Sequence, residues 1–125
     1  MNAYFFFILY TDYFLGKVIQ CLKKNDPRFE TALFYVSDHG ESLGENGLYL
    51  HGLPRTIAPE AQTHIPAIMW FGSNYNDVDQ SELRRKTAKH FSHDHVLHTV
   101  LGLMEIKTKA YRPELDILDG SRRPE

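Results

Sequence analysis

An α/β arrangement, with helices packed on a central sheet, is what this sequence predicts, and three features carry the prediction. Ile8, Leu9, Phe14, Leu15, Val18, Ile19 and Leu22 recur at helical spacing, with Lys17, Gln20, Lys23 and Lys24 on the other side. Residues 31–36 and 66–71 are short apolar runs rich in β-branched and aromatic side chains, bounded by turn-forming residues. His98, Val100, Leu101, Leu103 and Met104 then restore a helical period.

Taken in order, the first helix ends at Asn25-Asp26-Pro27, because proline disfavours helical backbone at the residue before it. Cys21 falls within this amphipathic segment and is expected as a buried, inert thiol. The apolar start, residues 4–10, is interrupted by Thr11 and Asp12 after about seven residues, against about 20 needed to span a bilayer. On that length it is no membrane helix, and it lacks the basic flank and cleavage site of a signal peptide. Residues 31–36 read as a buried strand, and helix followed by strand is half of an α/β crossover, a topology that places functional residues at the strand's carboxyl end.

Gly44, Gly47, Gly52, Pro54 and Pro59 make residues 40–65 a long loop, which Leu48, Tyr49, Leu50 and Ile57 can pin in an ordered form. Pro66 is tolerated at the first position of the next buried strand, where Trp70 is a packing residue rather than a substrate-stacking one. Residues 74–79 form a polar turn. Residues 80–91 form an exposed helix or lid whose cations Arg84, Arg85, Lys86 and Lys89 make a solvated face. Ser92 caps the following helix and Asp94 is a second cap, with His93 a helix-start residue rather than a metal ligand. The tail from residue 119 is polar and expected to fray.

With 125 residues, the chain buries about two thirds of its unfolded surface and makes one modest domain. It is 42% hydrophobic and 24% charged with a formal net charge of −2, so no basic field recruits nucleic acid. The single cysteine permits no internal disulfide and leaves the redox compartment open. Seven histidines are many for this length, yet only His39 and His51 sit in a motif.

That motif is Ser37-Asp38-His39-Gly40-Glu41-Ser42-Leu43-Gly44-Glu45-Asn46-Gly47, followed by His51-Gly52. Neighbouring side chains within a strand point to opposite faces, so Asp38 and His39 reach one ion only if the strand has ended, as Ser37 and Gly40 allow. A carboxylate oxygen and an imidazole nitrogen form a donor set that suits zinc. A catalytic zinc takes about three protein ligands, and His51 is the nearest further candidate. An aspartate in such a triplet otherwise serves as a turn or cap residue.

The longer pattern, continuing through Tyr49-Leu50-His51-Gly52, Pro54, Ala58-Pro59, Gln62 and Ile65-Pro66-Ala67, resembles the membrane phosphoethanolamine transferases of the alkaline phosphatase and sulfatase superfamily. The likeness extends from Ile8-Leu9-Tyr10-Thr11-Asp12-Tyr13 through Ser92-His93-Asp94 to Asp116-Ile117-Leu118 and is nearest to the lipid A-modifying branch. It implies that residues 1–125 are the C-terminal part of an alkaline phosphatase/sulfatase-like sandwich, an incomplete catalytic domain. It implies Zn2+ held by Asp38 and His39, with Glu41 and His51 in the donor-headgroup pocket, or His51 on a second zinc. The implied donor is phosphatidylethanolamine and the acceptor lipid A. The implied parent is a bacterial inner-membrane enzyme whose catalytic domain faces the periplasm, anchored through an N-terminal domain missing here.

In such enzymes a threonine nucleophile carries phosphoethanolamine between donor and acceptor, and it lies with a glutamate ligand upstream of the Asp-His pair. No threonine of this chain matches that context, so the resemblance implies a fragment inactive by itself. Phe5-Phe6 replaces a polar Asp-Asn pair, implying altered sequence from a truncated or frameshifted frame. Residues 116–122 lack the cysteine that relatives of this kind carry near the C-terminus. Two alternatives stand beside the transferase: a sulfatase-like or phosphatase-like hydrolase, and a non-catalytic remnant.

Overall fold

The computed structural model describes residues 3–123; Met1, Asn2, Pro124 and Glu125 lie outside them. Helix α1 (Ala3–Asn25) is followed by strands β1 (Ala32–Val36), β2 (Ser42–Leu43) and β3 (Tyr49–Leu50), then by helix α2 (Glu60–Thr63) and strand β4 (Ala67–Phe71). Helices α3 (Gln80–Arg85) and α4 (Asp94–Leu103) complete the regular structure, with short 3-10 turns at Glu45–Gly47, Lys86–Ala88 and Pro113–Leu115. The chain divides into two compact units. One holds residues up to Lys24 with Ala32–Phe71, and the other holds Asn25–Thr31 with the chain from Gly72 onward.

In the first unit, β1 pairs antiparallel with β4, Ala32 opposite Phe71 and Val36 opposite Ala67. The two predicted strands are therefore present, adjacent and antiparallel. They are half-buried instead of buried, and the Ala67 end of β4 is exposed. The residues expected to form one irregular loop instead contain a hairpin, with Ser42 opposite Leu50 and Leu43 opposite Tyr49, and the short helix α2.

Helix α1 runs unbroken through Thr11 and Asp12, because polar side chains leave the backbone hydrogen-bond ladder intact. Tyr4–Asn25 is long and apolar enough to cross a membrane by length and composition, with a mean hydropathy of 1.3. The length argument counted only the first apolar run and fails for this reason. Thr11, Leu15, Val18, Ile19 and Leu22 form a half-buried stripe at helical spacing, whereas Phe5, Phe6, Phe7, Ile8, Leu9 and Tyr10 are exposed. Cys21 is also exposed, correcting the buried thiol, since it lies off that stripe.

The second unit is built around specific polar contacts. Asp26 is buried, and its carboxylate accepts from the Ser73 amide at 2.7 Å, the Ser73 hydroxyl at 2.5 Å and the Thr31 hydroxyl at 2.8 Å. Buried Asp116 accepts from the Tyr111 hydroxyl at 2.7 Å, Arg122 at 2.9 Å and the Leu118 amide at 2.8 Å. Burial and this contact push the Tyr111 phenol up to about 12, so it remains a donor. Gly102 on α4 lies so close that a Cβ there would collide with the Asp116 and Arg122 side chains.

These contacts correct three expectations. The tail does not fray through Arg123: Ser121 is buried, Val78 bridges to Arg122, and the Arg123 amide donates to the Asp77 carbonyl. Lys86 leaves the solvated face and donates to the Ile117 carbonyl at 2.9 Å and to the Asp119 carbonyl. His93 occupies the cap position of α4, in keeping with a helix-start role, but its side chain makes no capping hydrogen bond. The Ser92 hydroxyl reaches the Asp94 carboxylate at 3.1 Å, so these two residues interact with each other at the helix start. A side-chain cap is formed at α3, where Asp79 accepts from the Ser81 and Glu82 amides.

The Ser73 hydroxyl is the largest influence holding the Asp26 carboxyl below its ordinary value of 3.8. A lowered native value means that the ionised form stabilises the fold. The contribution is fully present above the ordinary value and is lost as pH falls from there through the native value. Thermal unfolding between pH 6 and 2.5 should show a loss of stability below about pH 4 that Asp26→Asn flattens. An unchanged acid limb in that variant would assign the loss to other carboxylates.

Candidate functional site

Strand β1 ends where the motif begins. The ladder's last contact is the Ser37 amide donating to the Pro66 carbonyl at 3.2 Å, and the chain then turns through Ser37–Gly40. The Ser37 hydroxyl donates to the His39 carbonyl at 2.9 Å, and the His39 amide donates to its neighbour's Asp38 Oδ1 at 3.0 Å. The Gly40 amide reaches the Gln62 carbonyl at 3.0 Å, an approach so close that a Cβ on Gly40 would strike the Ala61 carbonyl.

Gln62 fastens the remainder. Buried on α2, it donates to the Ser42 hydroxyl at 2.9 Å and accepts from the Leu53 amide at 3.4 Å. One side chain thereby joins the segments on either side of the β2–β3 hairpin. Between them Leu50 is held at φ 66°, a left-handed conformation that costs a bulky residue on the order of 1–3 kcal/mol.

The result gathers His39, Glu41 and His51, whose ligand atoms lie within 4.8 Å of one another. The two imidazole rings stack with centroids 3.6 Å apart. His51 Nδ1 lies 3.2 Å from Glu41 Oε2. His39 Nδ1 lies 2.9 Å from the Gly40 carbonyl, which can only accept, so this nitrogen carries the hydrogen and Nε2 keeps its lone pair. Asp38 is 88% exposed at its side chain, with Oδ1 3.8 Å from His39 Nε2. Two tetrahedral ligands each about 2 Å from a shared zinc would be roughly 3.3 Å apart.

All four predicted residues thus fall in one region. The tight cluster joins one expected metal ligand to the two expected headgroup residues, and Asp38 stands at its edge. Two nitrogens and a carboxylate oxygen form a set that zinc accepts. Glu41 Oε1 is buried without a hydrogen-bond partner among the described residues, which suits a carboxylate awaiting a cation. The sequence reading missed Gln62 and Ser42 as the site's supports. A glutamine in a Gly/Pro-rich stretch was the available signal, but its burial depends on contacts 9 and 20 residues away.

A family model described as Sulfatase matches residues 1–106, and the chain belongs to the sulfatase family. Its relatives narrow the comparison to phosphoethanolamine transferases. Phosphoethanolamine transferase EptA of Escherichia coli strain K12 is 44% identical over 127 residues, covering 98% of this chain and 23% of the relative. The crystal structure of the soluble domain of lipooligosaccharide phosphoethanolamine transferase A from Neisseria meningitidis superposes with a TM-score of 0.86 at 50% identity, covering 94% of this chain and 36% of that one. The integral membrane protein of the same name gives a TM-score of 0.87 and 50% identity, over 94% of this chain and 23% of that one. The α/β fold is that of the sulfatase family's transferases, and the chain spans 23% or less of the length of the curated relatives it matches.

Because Gln62 holds the two segments together, Gln62→Ala should destabilise the first unit by about 1–3 kcal/mol, the cost of leaving the buried Ser42 hydroxyl unpaired. The same variant should weaken metal binding by His39 and His51. Denaturant unfolding together with metal titration would measure both, and retention of full metal affinity would remove Gln62 from the site's support.

Proposed function

We propose that this chain carries the metal and donor-headgroup part of a phosphoethanolamine transferase site, acting between phosphatidylethanolamine and lipid A. The observation that carries the reading is the convergence of His39, Glu41 and His51 beside Asp38 at the end of β1. Identity to EptA over nearly the whole chain and the likeness to lipooligosaccharide phosphoethanolamine transferase A support the group transferred and the class of acceptor.

In this reading Asp38 and His39 Nε2 hold Zn2+, with Glu41 and His51 close enough to share it or to hold a second ion. Zinc bound here would neutralise charge on phosphoryl oxygens and lower a nucleophile's pKa. His51 faces the phosphate, as a hydrogen-bond donor to an oxygen or a proton source for the leaving alkoxide. The Glu41 carboxylate pairs with the ethanolamine ammonium. The parent enzyme resides in the inner membrane with this part on the periplasmic side, a placement supported by the relative described as an integral membrane protein.

The nucleophile comes from outside these residues. Several threonines are committed to local structure: Thr31 donates to Asp26, Thr87 to the Arg84 carbonyl, and Thr99 accepts from the Ile117 amide.

Zinc titration of the 125-residue chain should give one equivalent bound, with affinity lowered at least about tenfold in His39→Ala and Asp38→Ala. Elemental analysis showing unchanged zinc in both would reject the ligand assignment, and complete loss in His51→Ala alone would make His51 the primary ligand. Incubated with fluorescent phosphatidylethanolamine, the same chain should produce little or no transfer. Robust turnover would require a nucleophile among its own residues.

A further inference from the structure

Each histidine of the cluster is held at one ring nitrogen, by a different kind of acceptor. His39 Nδ1 meets the Gly40 carbonyl, and His51 Nδ1 meets Glu41 Oε2 at 3.2 Å. A carboxylate has only lone pairs to offer, so in a neutral ring the hydrogen between the two belongs to His51 Nδ1. Both rings are then in the Nδ1–H form, and the lone pairs that remain are those of the two Nε2 atoms. Stacking on His39, with centroids 3.6 Å apart, fixes the plane of the His51 ring but not which nitrogen points which way within that plane. The contact with Glu41 makes that choice. Glu41 is suited to it because its backbone is tied on both sides: the Gly40 amide donates to the Gln62 carbonyl, and the Ser42 hydroxyl accepts from the Gln62 side chain. The Glu41 side chain is 20% exposed against 47% for His51, so the more buried, anchored carboxylate orients the more exposed ring.

We propose that Glu41 is a positioning residue: through Oε2 it holds His51 in the Nδ1–H form, so that His51, like His39, presents its Nε2 lone pair to a cation. This role rests on the proposed zinc site and deepens it. A histidine that ligates an ion through one nitrogen is fixed by the acceptor at the other, and losing that acceptor costs roughly tenfold to a hundredfold in affinity. The two oxygens of the carboxylate then have separate tasks. Oε2 orients His51, while Oε1, buried and without a hydrogen-bond partner among the described residues, is left for a cation. A free histidine side chain favours the Nε2–H tautomer when neutral, so the form found here is imposed by the fold.

The tautomers are read from the ring-nitrogen chemical shifts of the isotope-labelled, zinc-free chain at about pH 8, above the ordinary imidazole value of about 6.5. His39 and His51 should both show the Nδ1–H pattern. In Glu41→Ala, His51 should turn to the Nε2–H form while His39 keeps its own, since the Gly40 carbonyl is untouched. Glu41→Gln, which retains an acceptor oxygen, should leave His51 in the Nδ1–H form. Zinc titration should show affinity lowered at least about tenfold in Glu41→Ala and kept within about threefold in Glu41→Gln. An Nε2–H or doubly protonated His51 in the unaltered chain would overturn the proposal, as would a His51 pattern that Glu41→Ala leaves unchanged. A change in both rings would deny a role specific to His51, and equal zinc loss in the two variants would make Glu41 a direct ligand instead. If zinc fails to bind while the tautomers behave as expected, the zinc site falls and the orientation of His51 by Glu41 stands.

Discussion

The Gln62 side chain is the constraint on which the site depends. Strand β1 delivers Asp38 and His39, but nothing in a strand end fixes a histidine twelve residues later. The Gln62 amide does so by reaching Ser42 on one side of the hairpin and the Leu53 amide on the other, while its own backbone carbonyl holds Gly40. The bond to Ser42 is shielded from water, where breaking it leaves a stranded polar group. The stacked histidines are therefore set by a neutral amide that never touches a ligand.

The same economy holds in the second unit. The buried apolar residues among those described are Val78, Ile117 and Leu118, whereas the buried polar ones include Asp26, Thr31, His98, Thr99, Asp116 and Ser121. Each of several chain reversals is tied by a side chain bonded to backbone: Thr99 to the Ile117 amide, His98 to the Arg112 amide, Lys86 to the Ile117 carbonyl. Hydrogen bonds are directional, so such a network specifies geometry even where little apolar surface is removed from water.

How much of this was legible in the sequence depended on how local the cause was. The end of α1 at Asn25 was readable because Pro27 acts within two residues, and β1 and β4 because their runs are apolar and bounded. The motif at Asp38-His39 was readable as chemistry. Pairing direction was not, since antiparallel and parallel strands of five residues have the same composition. Nor was the ordered tail: Ser121, Arg122 and Arg123 look solvated until Asp116, Val78 and Asp77 are brought opposite them. The role of Lys86 was misread for the same reason, because its carbonyl partners lie about 30 residues along the chain. Local rules cannot supply partners created by tertiary structure.

Helix α1 bears on the thermodynamics of the chain. Its first two turns, Phe5 to Tyr10, present apolar surface to solvent in the folded state. The heat-capacity increment of unfolding comes from apolar surface newly hydrated, so surface already hydrated adds nothing to it. The stability curve of this chain is accordingly flatter than that of a closed domain with the same composition. Its enthalpy of unfolding changes less with temperature, and the aromatic run of α1 contributes far less to stability than its hydropathy suggests.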